Sequence, residues 1–384
     1  MRIVYAALDQ QVPGTKGGSV HVRAVADGLA RLGHQVHVLA EPGPGGFPRG
    51  DVVWHDARPP LGRRELRWMR EPAVLETARQ AGAEAIIERY YNFGGEGIRA
   101  AARLGIPSML EVNAPVIDHP RSPKRLLDRI LVVEPMRRWR DWQCRAARLI
   151  VAPTASILPP FVERSKILEL EWGADTERFH PGARGEISFA RDAGEVVAVF
   201  AGAFRNWHGA GQLVEAMRVL RQRGDRRLRA VLIGDGPEFE RVKRAATGVD
   251  GVTLTGAIAH EAMPANLAAC DIGVAPFDPA AHAPLSLGFY WSPLKVFEYM
   301  ASGLAVVVPR IERLSRIVRD GHEALIYDPG DVNGLADALA RLVDPVLRQT
   351  LGAAARARAV SRYSWSAHCL ALDEALRKAC PCAC

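Results

Sequence analysis

What the sequence leaves out narrows its function before any motif is read. No Asp-x-Asp pair occurs in its 384 residues, so the carboxylate pair that would hold a divalent cation against a diphosphate is missing, and no metal is expected there. The loop after the first apolar run is not G-x-G-x-x-G, which argues against a dinucleotide cofactor. No apolar run approaches the ~20 residues needed to span a bilayer. Six cysteines are present, none in the paired C-x2-C spacing of a zinc site. Cys144 and Cys270 read as buried thiols, and 380–384 (Cys-Pro-Cys-Ala-Cys) as a frayed Cys-rich tail. No aromatic–basic nucleic-acid motif occurs, so no nucleic-acid partner is expected. The opening residues Met1-Arg2-Ile3-Val4 read as a first strand and not as a signal peptide, so a soluble, cytoplasmic protein is expected.

What is present suffices for two ordinary cores. Hydrophobic residues make up 48% of the chain and charged ones 24%, and the length suits two α/β domains. The net charge of +7 favours anionic partners: nucleotide diphosphates, acidic lipid or nucleic acid.

The pattern is strand, loop, helix, repeated. Strands are predicted at 2–8, 35–39, 51–54, 85–88, 107–112 and 149–152, with a first helix over 20–32 capped by Ser19. Periodicity lapses around 171–182 and then restarts. Strands follow at 196–200, 229–233, 252–254, 271–275 and 305–308, helices at 209–221 and 237–246, and the chain is helical from 331 almost to its end. Alternation of this kind implies parallel, doubly wound sheets. The domains expected are 1–172, together with a C-terminal helix of about 362–379 packing back on it, and 173–361. Ligands of such domains bind at the carboxyl ends of the strands, here in a cleft between the two.

Three segments carry candidate chemistry. Gly17-Gly18 after the first strand lets the backbone approach a ligand, with helix amides behind it; a flexible capped loop is the alternative. In 290–303, Ser292 reads as an N-cap and Pro293 as the first turn of a helix whose amides, with Lys295, suit an anion. Glu298 on that helix suits two ribose hydroxyls, unless it is an ordinary surface Glu. In 200–209, Arg205 and His208 stand where both could meet a diphosphate.

Together these segments resemble glycosyltransferase family 4, retaining enzymes of the GT-B fold. The resemblance runs through the glycine loop Gly202–Gly209 in a Trp-His-Gly variant, Gly234-Asp235-Gly236-Pro237, Val252–Gly256, and the helix Leu294-Lys295-Val296-Phe297-Glu298-Tyr299-Met300-Ala301. Gly17-Gly18, Glu88-Arg89-Tyr90, Glu111-Val112-Asn113-Ala114-Pro115 and Gly173-Ala174-Asp175 extend it over nearly the whole chain. It implies two Rossmann-like domains facing a cleft and a donor site of Gly17, Gly18, Gly202, His208, Gly234, Gly256, Ala257, Ile258, Tyr290, Ser292, Pro293, Leu294 and Glu298. Three positions depart from the family. Tyr290 stands where the first carboxylate of an E-x7-E pair would be, Trp172 replaces the usual Asn before Gly173, and the usual loop cations align with Ala203 and His208. Arg205, His208 and Lys295 are then expected to supply the positive charge.

The activity implied is metal-independent, retaining transfer of a sugar from a nucleotide sugar, a UDP-sugar first, to a hydroxyl acceptor: a glycan, a lipid-linked glycan or a small metabolite. Arg205 and Lys295 would stabilise the leaving diphosphate. Glu111 and Asn113 would orient or deprotonate the acceptor, or cap the next helix; His21 and His119 are weaker candidates. The basic run over 121–142, with Trp139 and Trp142, reads as either a solvated face or a helix lying on an anionic inner membrane surface. A nucleotide-sugar epimerase, a phosphorylase or a non-catalytic nucleotide-binding protein are the competing readings.

Overall fold

The computed structural model describes the chain except residues 15–16, 117–122, 131–133, 284, 286–287 and 381–384; for 123, 124, 127 and 129 it describes the backbone alone. It forms two compact units. One comprises Met1–Trp172, Tyr290–Ser292 and Trp365–Cys384; the other comprises Gly173–Phe289 and Pro293–Ser364.

The first unit is a sheet of β1 (Arg2–Val12), β2 (Gln35–Pro42), β3 (Val53–Asp56), β4 (Ala85–Arg89), β5 (Ser108–Glu111), β6 (Leu149–Ala152) and β7 (Ile167–Glu169). Its order is β3-β2-β1-β4-β5-β6-β7, with every pairing parallel. Ile3–Leu8 are all 0% exposed. An uninterrupted apolar run of this kind is what a strand covered by helices on both faces requires. The direction of strand addition reverses between β1 and β4, which is where doubly wound sheets bind ligands.

The second unit repeats the plan with β8 (Val196–Ala201), β9 (Leu228–Ile233), β10 (Val252–Gly256), β11 (Ile272–Val274), β12 (Ala305–Pro309) and β13 (Ala324–Tyr327). The order is β10-β9-β8-β11-β12-β13, again parallel, with the switch between β8 and β11. Its core is built on Phe200, Leu213, Met217, Leu232, Val307 and Leu339, none above 0% exposed.

The α/β class and the parallel sheets are as the alternation implied. β7 and β13 were not foreseen; at three and four residues they are too short to show a period. The first helix is Gly17–Arg31, so Ser19 lies inside its first turn, buried, and does not cap it. The last helix is Trp365–Ala379 and lies in the first unit, against Gly17–Arg31. Gly28 makes that approach possible, because a Cβ there would lie 2.3 Å from Cys369 Sγ.

Gly28→Val is therefore expected to wedge the two helices apart and cost about 1–3 kcal/mol of stability by overpacking. Urea unfolding measures this; an unchanged midpoint would show that the interface is not tight.

Candidate active site

In the second unit, three loops leave the carboxyl ends of β8, β9 and β10 and are sewn together through the backbone. Gly202 N donates to Ile233 O at 2.9 Å, Phe204 N to Asp235 O at 2.9 Å, and Gly234 N to Gly256 O at 2.8 Å. Gly234, at φ +131°, meets its neighbour so closely that a Cβ would lie 2.0 Å from Gly202 O. Its glycine is required by this loop-on-loop contact whether or not a ligand touches it. Ala257 is exposed and Ile258 half-buried just beyond the β10 turn.

The Leu294–Ala301 helix brings Lys295 to this edge. Its Nζ lies 4.0 Å from the Phe200 ring centre and 5.4 Å from that of Phe277. Gly202 runs beside it, close enough that a Cβ there would stand 3.2 Å from Nζ. The ammonium is shielded from water and has no hydrogen-bond acceptor among the described residues. Burial pulls its pKa down to about 7, opposed by the charge of Glu298. Burial likewise pushes Glu298 up to about 7, with Lys295 and Arg178 opposing. Lys295 in the first turn of the helix and Glu298 in its second put one group suited to negative charge beside one suited to hydroxyls.

Two expectations need correction here. Ser292 does not cap this helix: Pro293 occupies the N-cap position. Ser292 Oγ instead donates to Glu171 Oε2 at 2.9 Å and accepts from Trp172 N at 3.2 Å. Pro293 lies between Ser292 and the first helical residue at φ −83°, ψ 71°, so the serine is one position too far back to serve the helix amides. Nor does His208 contribute positive charge. Burial lowers its pKa to about 3, with Lys295 acting in the same direction, and its Nδ1 is bonded to the Ala203 carbonyl. The cations left are Lys295 and Arg205, whose side chain is exposed at the head of a short 3-10 turn, Asn206–His208. Leu294 opens the helix, and Tyr290 is buried with its ring 4.4 Å from Trp291.

In the first unit, the carboxyl ends of β1, β4 and β5 carry a buried charge network. Arg67, fully buried, donates to Asp9 and to Glu96, both at 2.6 Å. Arg89 stands 3.8 Å from Asp9 and 3.8 Å from Glu111. Glu111 also accepts from Tyr5 Oη and contacts His21 Nε2; burial raises its pKa. Glu88 takes the Ile98 amide at 2.8 Å, and burial and the neighbouring Glu96 push it to about 8. Trp172, uninterpretable in the sequence, stacks on His21 at 4.3 Å and donates through Nε1 to Asn113 Oδ1 at 2.8 Å. Among the described residues, Asn113 and Glu111 hold Trp172, Tyr5 and His21. Gly17 opens the first helix, and Gly18 packs against the side chains of Gln10 and Arg89.

Sequence reasoning missed Asp9, Arg67 and His368, the last of which bonds the Glu171 carbonyl at 2.8 Å. Arg67 sits in an arginine-rich stretch where nothing marks the one that is buried. The tryptophans of the basic run turn inward: Trp139 Nε1 donates to Gly94 O at 2.8 Å, and Arg99 stacks on both Trp139 and Trp142. His119 and Arg121 lie outside the described residues, as do Cys382 and Cys384. Among the described residues no helix is long and apolar enough to cross a membrane.

Against known proteins, residues 15–165 match the model described as Glycosyltransferase Family 4. Residues 195–345 match that described as Glycosyl transferases group 1. The chain belongs to glycosyltransferase family 4. It is 27% identical to an MMP alpha-(1->4)-mannosyltransferase of Mycolicibacterium hassiacum, over 91% of each chain. It is also 27% identical to a GDP-mannose-dependent alpha-mannosyltransferase of Mycolicibacterium smegmatis, over 96% of this chain and 95% of that one. Among solved structures, a sucrose-phosphate synthase from Thermosynechococcus elongatus superposes with a TM-score of 0.72 at 20% identity, over 98% of both chains. This family 4 chain is a glycosyltransferase with the two Rossmann-like domains of the GT-B fold; the epimerase, phosphorylase and non-catalytic readings find no support.

Arg67→Met removes the cation bonded to buried Glu96 and Asp9 and is expected to cost about 3–5 kcal/mol, measured by urea unfolding. A loss under ~1 kcal/mol would show the network to be dispensable. His208 bears on acid stability. Its native pKa of about 3 lies below the ordinary histidine value of 6.5, so the unfolded chain takes up the proton first and stability falls as pH drops below about 6.5. His208→Gln should flatten that fall between roughly pH 6.5 and 5. A parallel loss in both proteins would contradict a neutral, half-buried His208.

Proposed function

We propose that the chain transfers a hexosyl group, with retention of anomeric configuration, from a nucleoside diphosphate sugar to a hydroxyl acceptor, and that side chains and amides, not a metal, neutralise the diphosphate. The observation that carries this reading is Lys295: a cation with no hydrogen-bond acceptor among the described residues, at the head of a helix, beside the glycine loop after β8. A diphosphate there would restore the charge stabilisation that burial removes. Arg205, exposed at the same strand end, would follow the leaving group's charge. Glu298 would accept from the two ribose hydroxyls, and the backbone at Gly256, Ala257 and Ile258 would contact the base.

On the first unit, Gly17 and Gly18 would let a ligand approach the backbone closely, and Asn113 would help orient the acceptor. Glu111 is enclosed by Tyr5, His21 and Arg89, which suits a role in fixing that floor more than direct proton abstraction. The two relatives named above are mannosyltransferases and one is named for GDP-mannose, which moves the first donor to test from a UDP-sugar to GDP-mannose. Tyr290, in place of a carboxylate, would offer the sugar one hydroxyl contact.

A thermal-shift screen of GDP, UDP, ADP, dTDP and their sugars tests the donor. A rise with one guanosine ligand is expected; a rise with UDP ligands alone would return the donor to a UDP-sugar, and no rise at all would contradict the diphosphate site. Glu298→Ala and Lys295→Met should each weaken the bound donor by about 10- to 100-fold, as for a lost hydrogen bond to a charged group. Titration calorimetry showing wild-type affinity in either variant would remove that residue from the site.

A further inference from the structure

One cluster in the first unit is unexplained by sugar transfer. His21 on the Gly17–Arg31 helix, Glu111 at the end of β5 and His368 on the Trp365–Ala379 helix each place a ligating atom within 4.8 Å of the others. None is more than 4% exposed. His368 Nδ1 faces the Glu171 carbonyl at 2.8 Å, which can only accept, so Nδ1 carries the ring proton and Nε2 is a lone pair. That Nε2 is buried and has no hydrogen-bond partner. His21 directs Nε2 at Glu111 Oε1, and its Nδ1 is likewise without a partner. Burial keeps both imidazoles in the neutral form that binds metals, His368 at about 4 and His21 well below its ordinary value.

The ring geometry fits a shared ion. A metal about 2.0–2.1 Å from each ligating nitrogen lies about 3.2 Å from each ring centre, and a tetrahedral angle then separates the centres by roughly 5 Å. The His21 and His368 ring centres are 5.5 Å apart and the planes cross at 83°. Outside them, Trp172 stacks on His21 at 4.3 Å and Trp365 stands edge-on to His21 at 5.3 Å and to His368 at 5.5 Å, which fixes both rings and keeps water out. The Glu171 carbonyl behaves as an outer-shell group that orients a ligating histidine.

We propose that His21, Glu111 and His368 bind one divalent cation of the zinc class, through two imidazole nitrogens and a carboxylate oxygen. Calcium and magnesium prefer all-oxygen sets and suit it poorly. The ion would staple the last helix of the chain to the first helix and to β5. No metal was expected from the sequence, because the three ligands are too far apart along the chain to form a spacing motif.

The test is metal analysis of protein grown with added zinc, treated with EDTA and desalted, then reloaded with Zn2+ or Co2+. Wild type should hold about one ion per chain. So should a variant with Cys380, Cys382 and Cys384 changed to Ser, and so should His37→Ala/His55→Ala. His21→Gln and His368→Gln should hold at least tenfold less under the same wash. Cobalt-loaded wild type should show the visible bands of a four-coordinate nitrogen–oxygen site without a thiolate charge-transfer band, a readout that stands even if a variant fails to fold. Wild type binding no more metal than His368→Gln would overturn the proposal, as would loss of the ion in the cysteine variant or a thiolate band in the cobalt spectrum.

Discussion

Every strand in both sheets runs parallel, and the rest of the molecule follows from that constraint. Parallel strands need helical crossovers, crossovers cover both sheet faces, and the strands between them must be apolar throughout. Polar side chains are driven to the strand ends, and all the carboxyl ends lie on one edge. Asp9, Arg89 and Glu111 collect at that edge in the first unit; Gly202, Gly234 and Gly256 mark it in the second. The chemistry is confined by topology before any residue is chosen for it.

The two edges solve the charge problem differently. In the first unit the charges neutralise one another, with Arg67 and Arg89 threaded between carboxylates; that network is a requirement of folding as much as of function. In the second, Lys295 is held over Phe200 with no hydrogen-bond acceptor among the described residues, and the charge of Glu298 opposes the cost of burial. A cation in a dry setting is unfavourable until an anion arrives, and in the proposed function a bound diphosphate offsets that cost. That asymmetry separates a structural charge cluster from a receptor.

The sequence shows the class of fold well, because apolar strands such as 2–8 and 196–200 alternate with helical periodicity over the whole chain. It also shows the segments on which the proposed donor site rests, since Gly202–Gly209 and Leu294–Ala301 are local motifs. It fails where geometry depends on contacts far apart in the chain. His208 looks like a cation until its burial is known. Ser292 looks like a cap until Pro293 is seen to displace it and Trp172 to claim it. Arg67 and His368 carry no local signal, because their partners Asp9, Glu96 and Glu171 are brought to them only by the fold.

The central claim is sugar transfer from a nucleoside diphosphate donor. The most direct measurement is nuclear magnetic resonance of purified protein incubated with GDP-mannose and, separately, with UDP-sugars, following nucleoside diphosphate release and the first anomer formed, with water or a simple glycoside as acceptor. Release of one nucleoside diphosphate, with a product of the donor's own anomeric configuration, is the predicted result. Release with the opposite configuration would contradict retention, and intact donors in every tube, from protein that also binds none of them, would contradict the account as a whole.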